Sequence, residues 1–138
     1  MKKLFLVFLA AALLISATAS ADSFSSVSQL QQFLMKYSPN QISSAGSHSV
    51  DIEGTIAEIR WCGANNHYEM TLQVEDDRAL VPIGSDVPLI VVHFRLHVDP
   101  MPFQVGDVVT VYGTLNELYS SVMVPSILAK FINGSDDF

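Results

Sequence analysis

The chain has 138 residues, of which 7 are Lys or Arg and 14 are Asp or Glu, so its formal net charge is −7. A chain of this length makes one ordinary domain with a core of its own. The acidic balance disfavours non-specific nucleic-acid binding and docking on anionic lipid, because both depend on a basic surface. The single cysteine, Cys62, excludes an internal disulfide. It is interpreted either as a buried residue beside Trp61, or as a reactive thiol or partner in an intermolecular disulfide.

The first 21 residues have the pattern of a secretory signal peptide. Lys2 and Lys3 give a positive start, an apolar run of twelve residues covers 4–15, and Ala19-Ser20-Ala21 is a cleavage pattern of small residues. The apolar run is too short to span a bilayer. We therefore expect a mature chain that begins at Asp22 and works in the periplasm or outside the cell. Without Lys2 and Lys3, five basic residues face fourteen acidic ones, a net charge of −9.

The segment 22–48 is predicted to be a helix followed by a loop. Ser26 and Gln29 have the spacing of a capping box. Apolar side chains then recur on one helical face: Val27, Leu30, Phe33, Leu34 and Tyr37. This pattern predicts a helix over about 25–37, followed by a small and polar loop at 40–48.

Five strands are predicted after this segment, at 50–61, 68–74, 89–98, 108–115 and 121–132. In the first strand the apolar positions change parity between Ile56 and Ala57, just after Gly54. This change predicts a bulge that lets the two halves of the strand face different parts of a barrel. In the last strand, Pro125 cannot donate to a ladder and so marks an edge or a bulge. A further short strand at 79–83 is compatible with the pattern.

The stretch 103–115 indicates what kind of sheet these strands form. Gly106 and Asp107 are a turn signal that opens the fourth strand, and Gly113 falls inside that strand. A glycine within a strand pattern predicts a bulge or a sharp bend, as at the corner of a barrel. A small closed barrel is therefore favoured over a flat sheet.

Five strands, the first long and bulged and the fourth opened by a Gly-Asp turn, resemble the OB-fold. The resemblance rests on 50–61 with its Gly54-Thr55-Ile56 segment, on 68–74 and on 105–113. It covers 49–132, and a sandwich or another small barrel is the alternative. The fold class is thus all-β, a five-stranded OB-fold-like barrel with an N-terminal helix. Residues 133–138 are expected to form a frayed tail.

The resemblance implies binding through the face of the second and third strands and the loops around it. One departure from the family is visible, because OB-folds commonly carry a helix between strands three and four, and here only 99–104 fills that gap. This leaves the helix at 25–37 as a candidate plug for the barrel end.

The candidate binding face is predicted from the alternation of the strands. His93, Arg95 and His97 share the outward side of the third strand, and an antiparallel second strand would place Glu69 and Gln73 beside them. Among the aromatic residues, Tyr112 and Tyr119 are expected to be exposed, with Trp61 undecided. The predicted ligand-binding residues are His93, Arg95, His97, Glu69, Gln73 and Tyr112.

Three interpretations of this face remain open: a solvated surface without a ligand, a surface that binds protein, peptide or oligosaccharide, and a metal site. His93 and His97 lie about 13 Å apart along a strand, which is too far for two ligands of one metal ion. A metal would therefore need Glu69 or His67 from the neighbouring strand. We predict no metal and no cofactor.

The enzyme motifs that short patterns can reveal are absent from the sequence, and the adjacent acids Asp76 and Asp77 are interpreted as a solvated turn. The chain is predicted to be an exported, non-enzymatic binding or interaction module. Its expected ligand is a protein, a peptide or an oligosaccharide, and the alternative is that it is a single-stranded nucleic-acid-binding protein. Because the chain is so acidic, we expect no measurable binding of single-stranded DNA near physiological salt.

Overall fold

The computed structural model describes residues 23–37, 48–63 and 66–138. The predicted signal peptide, most of the predicted loop at 40–48 and the middle of the turn after the first predicted strand lie outside these residues. Within the described residues, no helix is long and apolar enough to cross a membrane.

The described residues form one helix and six strands. In chain order they are β1 (Ser23–Phe24), α1 (Val27–Lys36), β2 (Ser49–Trp61), β3 (His67–Gln73), β4 (Leu89–Arg95), β5 (Val108–Leu115) and β6 (Ser126–Ile132). The five long strands pair in the order β2-β3-β4-β6-β5, and β5 pairs back onto β2 and closes the barrel. All of these pairings are antiparallel except β4 with β6. The predicted fold is confirmed: this is a five-stranded OB-fold barrel with one short N-terminal helix.

The long strand β2 pairs with two neighbouring strands, as its change of parity predicts. Its first half pairs with β5 and its second half with β3. The register slips between Ile56 and Glu58, which leaves Ala57 as the bulged residue. A Cβ atom on Gly54 would lie 2.9 Å from the backbone oxygen of Gln73, so the close crossing of β2 and β3 requires a glycine.

The second bend lies where β5 meets β6. The register shifts between Tyr112 and Gly113, and Lys130 is the extra residue on β6. A Cβ atom on Gly113 would lie 1.9 Å from the carbonyl oxygen of Leu128. The bend that Gly113 predicts within its strand is therefore a real close approach of two backbones.

Helix α1 packs into the barrel core through the apolar face that the sequence predicts. Val27 and Leu30 are fully buried in the same cluster as the inward residues of the strands. Ser26 caps the helix by accepting a hydrogen bond from the Gln29 amide. The Gln31 side chain then joins the helix to the β3–β4 loop, because it accepts from the Leu80 amide and donates to the Leu80 carbonyl.

Two predicted strand boundaries are wrong, each for a local reason. Strand β4 ends at Arg95, and the His97 amide then donates to the Phe138 carbonyl rather than to β3. Strand β6 begins only after Pro125, since the residues before it form a turn between Ser121 and Val124. The segment 79–83 forms no strand.

The C-terminal residues are not a frayed tail. Ile132 forms a β-bridge with Ser135, and the His97 amide donates to the Phe138 carbonyl at 2.9 Å. The Phe138 ring is buried against Phe94 and Phe103. This segment therefore closes one side of the barrel next to β4. Residues 96–107 form no helix, as the sequence predicts for this gap.

Candidate functional site

A groove of about 410 Å³ opens along the outer side of β4, between β3 and β6. It is lined by His67, His93, Phe94, Arg95, His97, Leu128, Ala129, Lys130, Asp136 and Phe138. These residues come from two central strands, from β6 and from the C-terminal segment, so no short stretch of sequence contains the site.

The strand register explains why these side chains meet. In the antiparallel β3–β4 pair, Glu69 lies opposite His93 and His67 lies opposite Arg95. In the parallel β4–β6 pair, Leu128 lies beside His93. Because alternate residues of a strand face the same side, all five point to the outer face of the barrel.

His93 is the centre of this face, and it is buried, with an exposed fraction of 7%. Its Nδ1 atom lies 3.0 Å from Nε2 of His67 and 3.9 Å from Oε2 of Glu69. The Tyr119 ring, from the β5–β6 loop, covers it at a centroid distance of 5.6 Å. Burial lowers the pKa of His93, the Glu69 charge opposes that shift, and His67 adds to it. His93 is therefore neutral at neutral pH.

Glu69 connects this centre to β2. Its carboxylate bonds the guanidinium of Arg60, which lies opposite Glu69 in the β2–β3 register. The same carboxylate raises the pKa of Arg60 through that hydrogen bond and its charge. The charged row on this face therefore runs from Arg60 through Glu69 to His93.

Positive charge is concentrated on this side of an acidic protein. The structure describes five Lys and Arg residues, and three of them lie on this face: Arg60, Arg95 and Lys130. His67 and His97 line the groove beside Arg95. Among the described residues that line the groove, only Asp136 is acidic.

Exposed aromatic rings accompany the positive charge. Tyr119 is 72% exposed over the groove, and Trp61 is 60% exposed next to Arg60 at the end of β2. A second pair, Tyr112 and Phe131, lies on the neighbouring β5–β6 surface with ring centroids 6.1 Å apart. The predicted exposure of Tyr112 and Tyr119 is confirmed. Phe131 is 40% exposed and directly follows the bulged residue Lys130 on β6.

The structure brings together four of the six predicted binding residues. His93, Arg95 and His97 line the groove, and Glu69 flanks it. The expectation that His93 is exposed is wrong, because His67 and Tyr119 cover its ring.

The other two predicted residues lie elsewhere. Gln73 is at the far end of β3, opposite Leu89, in a separate cavity with Glu53 and Glu75. Tyr112 is on β5 and does not line the groove.

The predicted ligand-binding residues leave out three that shape the site, His67, Lys130 and Tyr119, although the sequence named His67 as a possible metal ligand and Tyr119 as an exposed ring. His67 could have been added by extending the antiparallel register two pairs beyond Glu69 and His93, to the next pair on the same face. Lys130 and Tyr119 reach the groove only through the parallel β4–β6 pairing, which joins residues far apart in the chain. No local pattern carries that information.

The structure also decides between two interpretations of Cys62. The thiol is exposed, so the expectation that it is buried beside Trp61 is wrong. Partial desolvation raises the pKa of Cys62, and the Glu69 carboxylate adds to the effect, which makes the thiolate scarce at neutral pH.

In the described part of the chain, no three His, Cys, Asp or Glu side chains are arranged to hold a metal ion.

Three solved structures are similar to this chain at low identity. A lipoprotein of Klebsiella pneumoniae proposed to bind nucleic acid is 22% identical, with 82% of this chain and 92% of that one covered and a TM-score of 0.48. A small single-stranded DNA-binding protein from Streptomyces coelicolor is 16% identical, with 65% and 93% covered and a TM-score of 0.45. A chain of the S. pombe Stn1-Ten1 complex is 22% identical, with a TM-score of 0.41; 61% of this chain is covered but only 55% of that one.

At these identities the likeness concerns the fold alone. No protein-family model matches the chain. No curated protein matches it either. Any statement about the ligand of this barrel has to come from its own groove.

Proposed function

We propose that this chain binds single-stranded nucleic acid in the groove between β3, β4 and β6. The observation that carries the proposal is the joint presence of Arg60, Arg95 and Lys130 with exposed aromatic rings on one face. Binders of single strands combine a positive groove that follows the phosphates with aromatic side chains on which bases stack. The face lies on the second and third strands of the OB-fold, beside the loop that joins the fourth strand to the fifth, where such barrels bind oligonucleotides and oligosaccharides.

The net charge of the chain is a poor guide to this face. Among the described acidic residues only Asp136 lines the groove and Glu69 flanks it, whereas others lie elsewhere, such as Glu53 and Glu75 in a separate cavity. A polyanion approaching the groove meets mainly Arg95, Lys130 and the histidines. Negative charge on the rest of the protein surface restricts nucleic-acid contact to this face and limits the affinity.

A peptide or an oligosaccharide is the competing ligand, because the Arg95 guanidinium also suits a carboxylate or a sugar hydroxyl. The combination of several cations with exposed rings favours the nucleic acid. We further propose that the chain is a binding protein rather than an enzyme, and that residues 1–21 export it.

Fluorescence anisotropy with a labelled single-stranded oligonucleotide of about 12 nucleotides, within the site size of one OB-fold, tests the proposal. We expect binding that weakens with salt, with a slope of log K against log [salt] near −2, since each single-strand phosphate contact contributes about −0.7. The double variant Arg95→Ala/Lys130→Ala should weaken binding at least about tenfold and flatten the slope by about 1.4.

Arg78→Ala is the matched control, because Arg78 is an exposed arginine in the β3–β4 loop and does not line the groove. It should bind like wild type. Absence of binding at low salt, or equal losses in the control and the double variant, would refute the proposal. Binding of a peptide or glycan with the same dependence on Arg95 would then become the explanation.

A further inference from the structure

The His67–His93 pair is the least ordinary feature of the groove. Nε2 of His67 and Nδ1 of His93 are 3.0 Å apart, so one ring donates a hydrogen bond to the other. Nε2 of His93 is buried, and no described residue forms a hydrogen bond with it. The two rings therefore share one hydrogen bond, and both of them line the groove.

The surroundings of the pair are mixed in charge. Glu69 lies 3.9 Å from His93 but is already bonded to Arg60, which offsets its charge. The other titratable or charged groups that line the groove or lie near Glu69 and His93 are Cys62 after β2, Arg95 on β4, His97 after it, Tyr119 in the β5–β6 loop, Lys130 on β6 and Asp136 in the C-terminal segment. Burial lowers the pKa of His93 and so favours its neutral form.

We infer that binding of a single-stranded nucleic acid to this groove is coupled to the uptake of a proton by the His67–His93 pair. The inference rests on the proposed function and adds its regulation. A phosphate that reaches Arg95 and Lys130 brings negative charge next to His67, which favours the protonated pair. By linkage, acidification must then strengthen binding of the same ligand.

Groups within the site stabilise the positive charge of the protonated His67–His93 pair. The shared hydrogen bond becomes charge-assisted, and Glu69 lies close enough to interact with the new positive charge. That interaction weakens the ion pair between Glu69 and Arg60, so the Arg60 guanidinium becomes more available to a further phosphate. Protonation therefore adds one charge to the groove and releases part of another.

The size of the effect follows from the linkage relation. Because the bound phosphate favours the protonated pair, we expect the affinity to rise by up to about tenfold between pH 7.5 and 5.5. Calorimetry at pH 6.5, with a single-stranded oligodeoxynucleotide in two buffers of different ionisation enthalpy, measures the proton uptake directly. We expect wild type to take up a fraction of one proton on each binding event.

His67→Gln is the main variant, because His67 is only partly buried and the fold tolerates its replacement better than that of His93. It should still bind at pH 8 but take up almost no proton at pH 6.5. Arg78→Ala is the matched control, because Arg78 is exposed and does not line the groove, and it should keep the wild-type binding and uptake. His97→Gln changes an exposed histidine of the groove and measures any share of the proton that the pair does not take up.

The outcomes separate the inference from the function on which it rests. An oligonucleotide that does not bind at any pH refutes the proposed function, and the coupling with it. Binding without proton uptake refutes the coupling and leaves the function standing. Uptake that persists in His67→Gln and disappears in His97→Gln also refutes the coupling, because the proton would then belong to the exposed histidine.

Discussion

Phe94 lies directly under the groove, in a cluster of aromatic side chains. It is 3% exposed, stacks on Tyr68, and meets the rings of Phe103 and Phe138 edge-on. Its backbone neighbours His93 and Arg95 form part of the outer face. The packing of this one ring therefore holds the strand that carries the site.

We predict that Phe94→Ala lowers the free energy of unfolding by about 3–5 kcal/mol, because a large cavity replaces the buried ring. Chemical denaturation measures the loss. Phe131→Ala is the control, since Phe131 is 40% exposed on β6 and should cost far less. Equal losses in the two variants would mean that the inward and outward sides of β4 are assigned incorrectly.

His93 should make the stability of the protein depend on pH. Its pKa is lowered in the folded state, chiefly by burial, so the unfolded chain takes up the proton first as the pH falls. Folding stability should therefore decrease below about pH 6.5, the ordinary pKa of histidine.

Denaturation curves at pH 7.5 and 5.5 test this prediction. His93→Gln should flatten the dependence, whereas His97→Gln should leave it as it is, because His97 is exposed. If His93→Gln loses as much stability as wild type between pH 7.5 and 5.5, the acid sensitivity belongs to another group.

At the scale of elements, a hydrogen bond to one carboxylate links helix α1 to the β3–β4 loop. Asp76, in the β3–β4 loop, accepts hydrogen bonds from the backbone amides of Ser28 and Arg78. The expectation of a merely solvated turn at Asp76 and Asp77 is wrong for Asp76. Its burial raises the pKa of the carboxyl, but the hydrogen bonds outweigh this effect and set the pKa below its usual value.

Asp76→Asn should lower the free energy of unfolding by about 0.5–1 kcal/mol at neutral pH, a modest value because the site is partly exposed and water screens the charge. The Asp76 contribution is present above the ordinary carboxyl pKa of about 3.9 and is lost as the pH falls through the lower folded value. The difference between wild type and variant should therefore disappear in strong acid. Asp77→Asn, on the exposed neighbour, should show little difference at either pH.

The junction of β5 and β6 depends on Gly113. A methyl group there would collide with the Leu128 carbonyl, so the two strands would have to separate. We predict that Gly113→Ala costs about 1–3 kcal/mol or more, as overpacking in a core does. Chemical denaturation measures the cost. A variant as stable as wild type would show that the strands do not approach as closely as described.

The elements could be predicted from the sequence where the cause is local. The bulge of β2 follows from the change of parity after Ile56, whereas the start of β6 after Pro125 is not predicted, because Pro125 is interpreted as an edge or a bulge within a longer strand. The groove could be predicted only in part, because alternation places Arg95 on the outer face without showing what covers His93. The contributions of His67, Tyr119 and Lys130 depend on pairing between distant strands, which no local pattern encodes.

For the molecule as a whole, the account depends on an uneven distribution of charge. An acidic OB-fold barrel carries three of its five described Lys and Arg residues on one face, together with exposed rings. The sequence-based expectation against binding of single-stranded DNA uses the sum of the charges, whereas a ligand responds to the local field.

The most direct test is an NMR titration of the ¹⁵N-labelled protein, residues 22–138, with a short single-stranded oligonucleotide at low salt. We predict that the perturbed amides cluster at Arg95, Leu128 and Tyr119, and that added salt reverses the perturbations. Perturbations confined to the acidic side around Glu53 and Glu75, or no perturbation at all, would contradict the account.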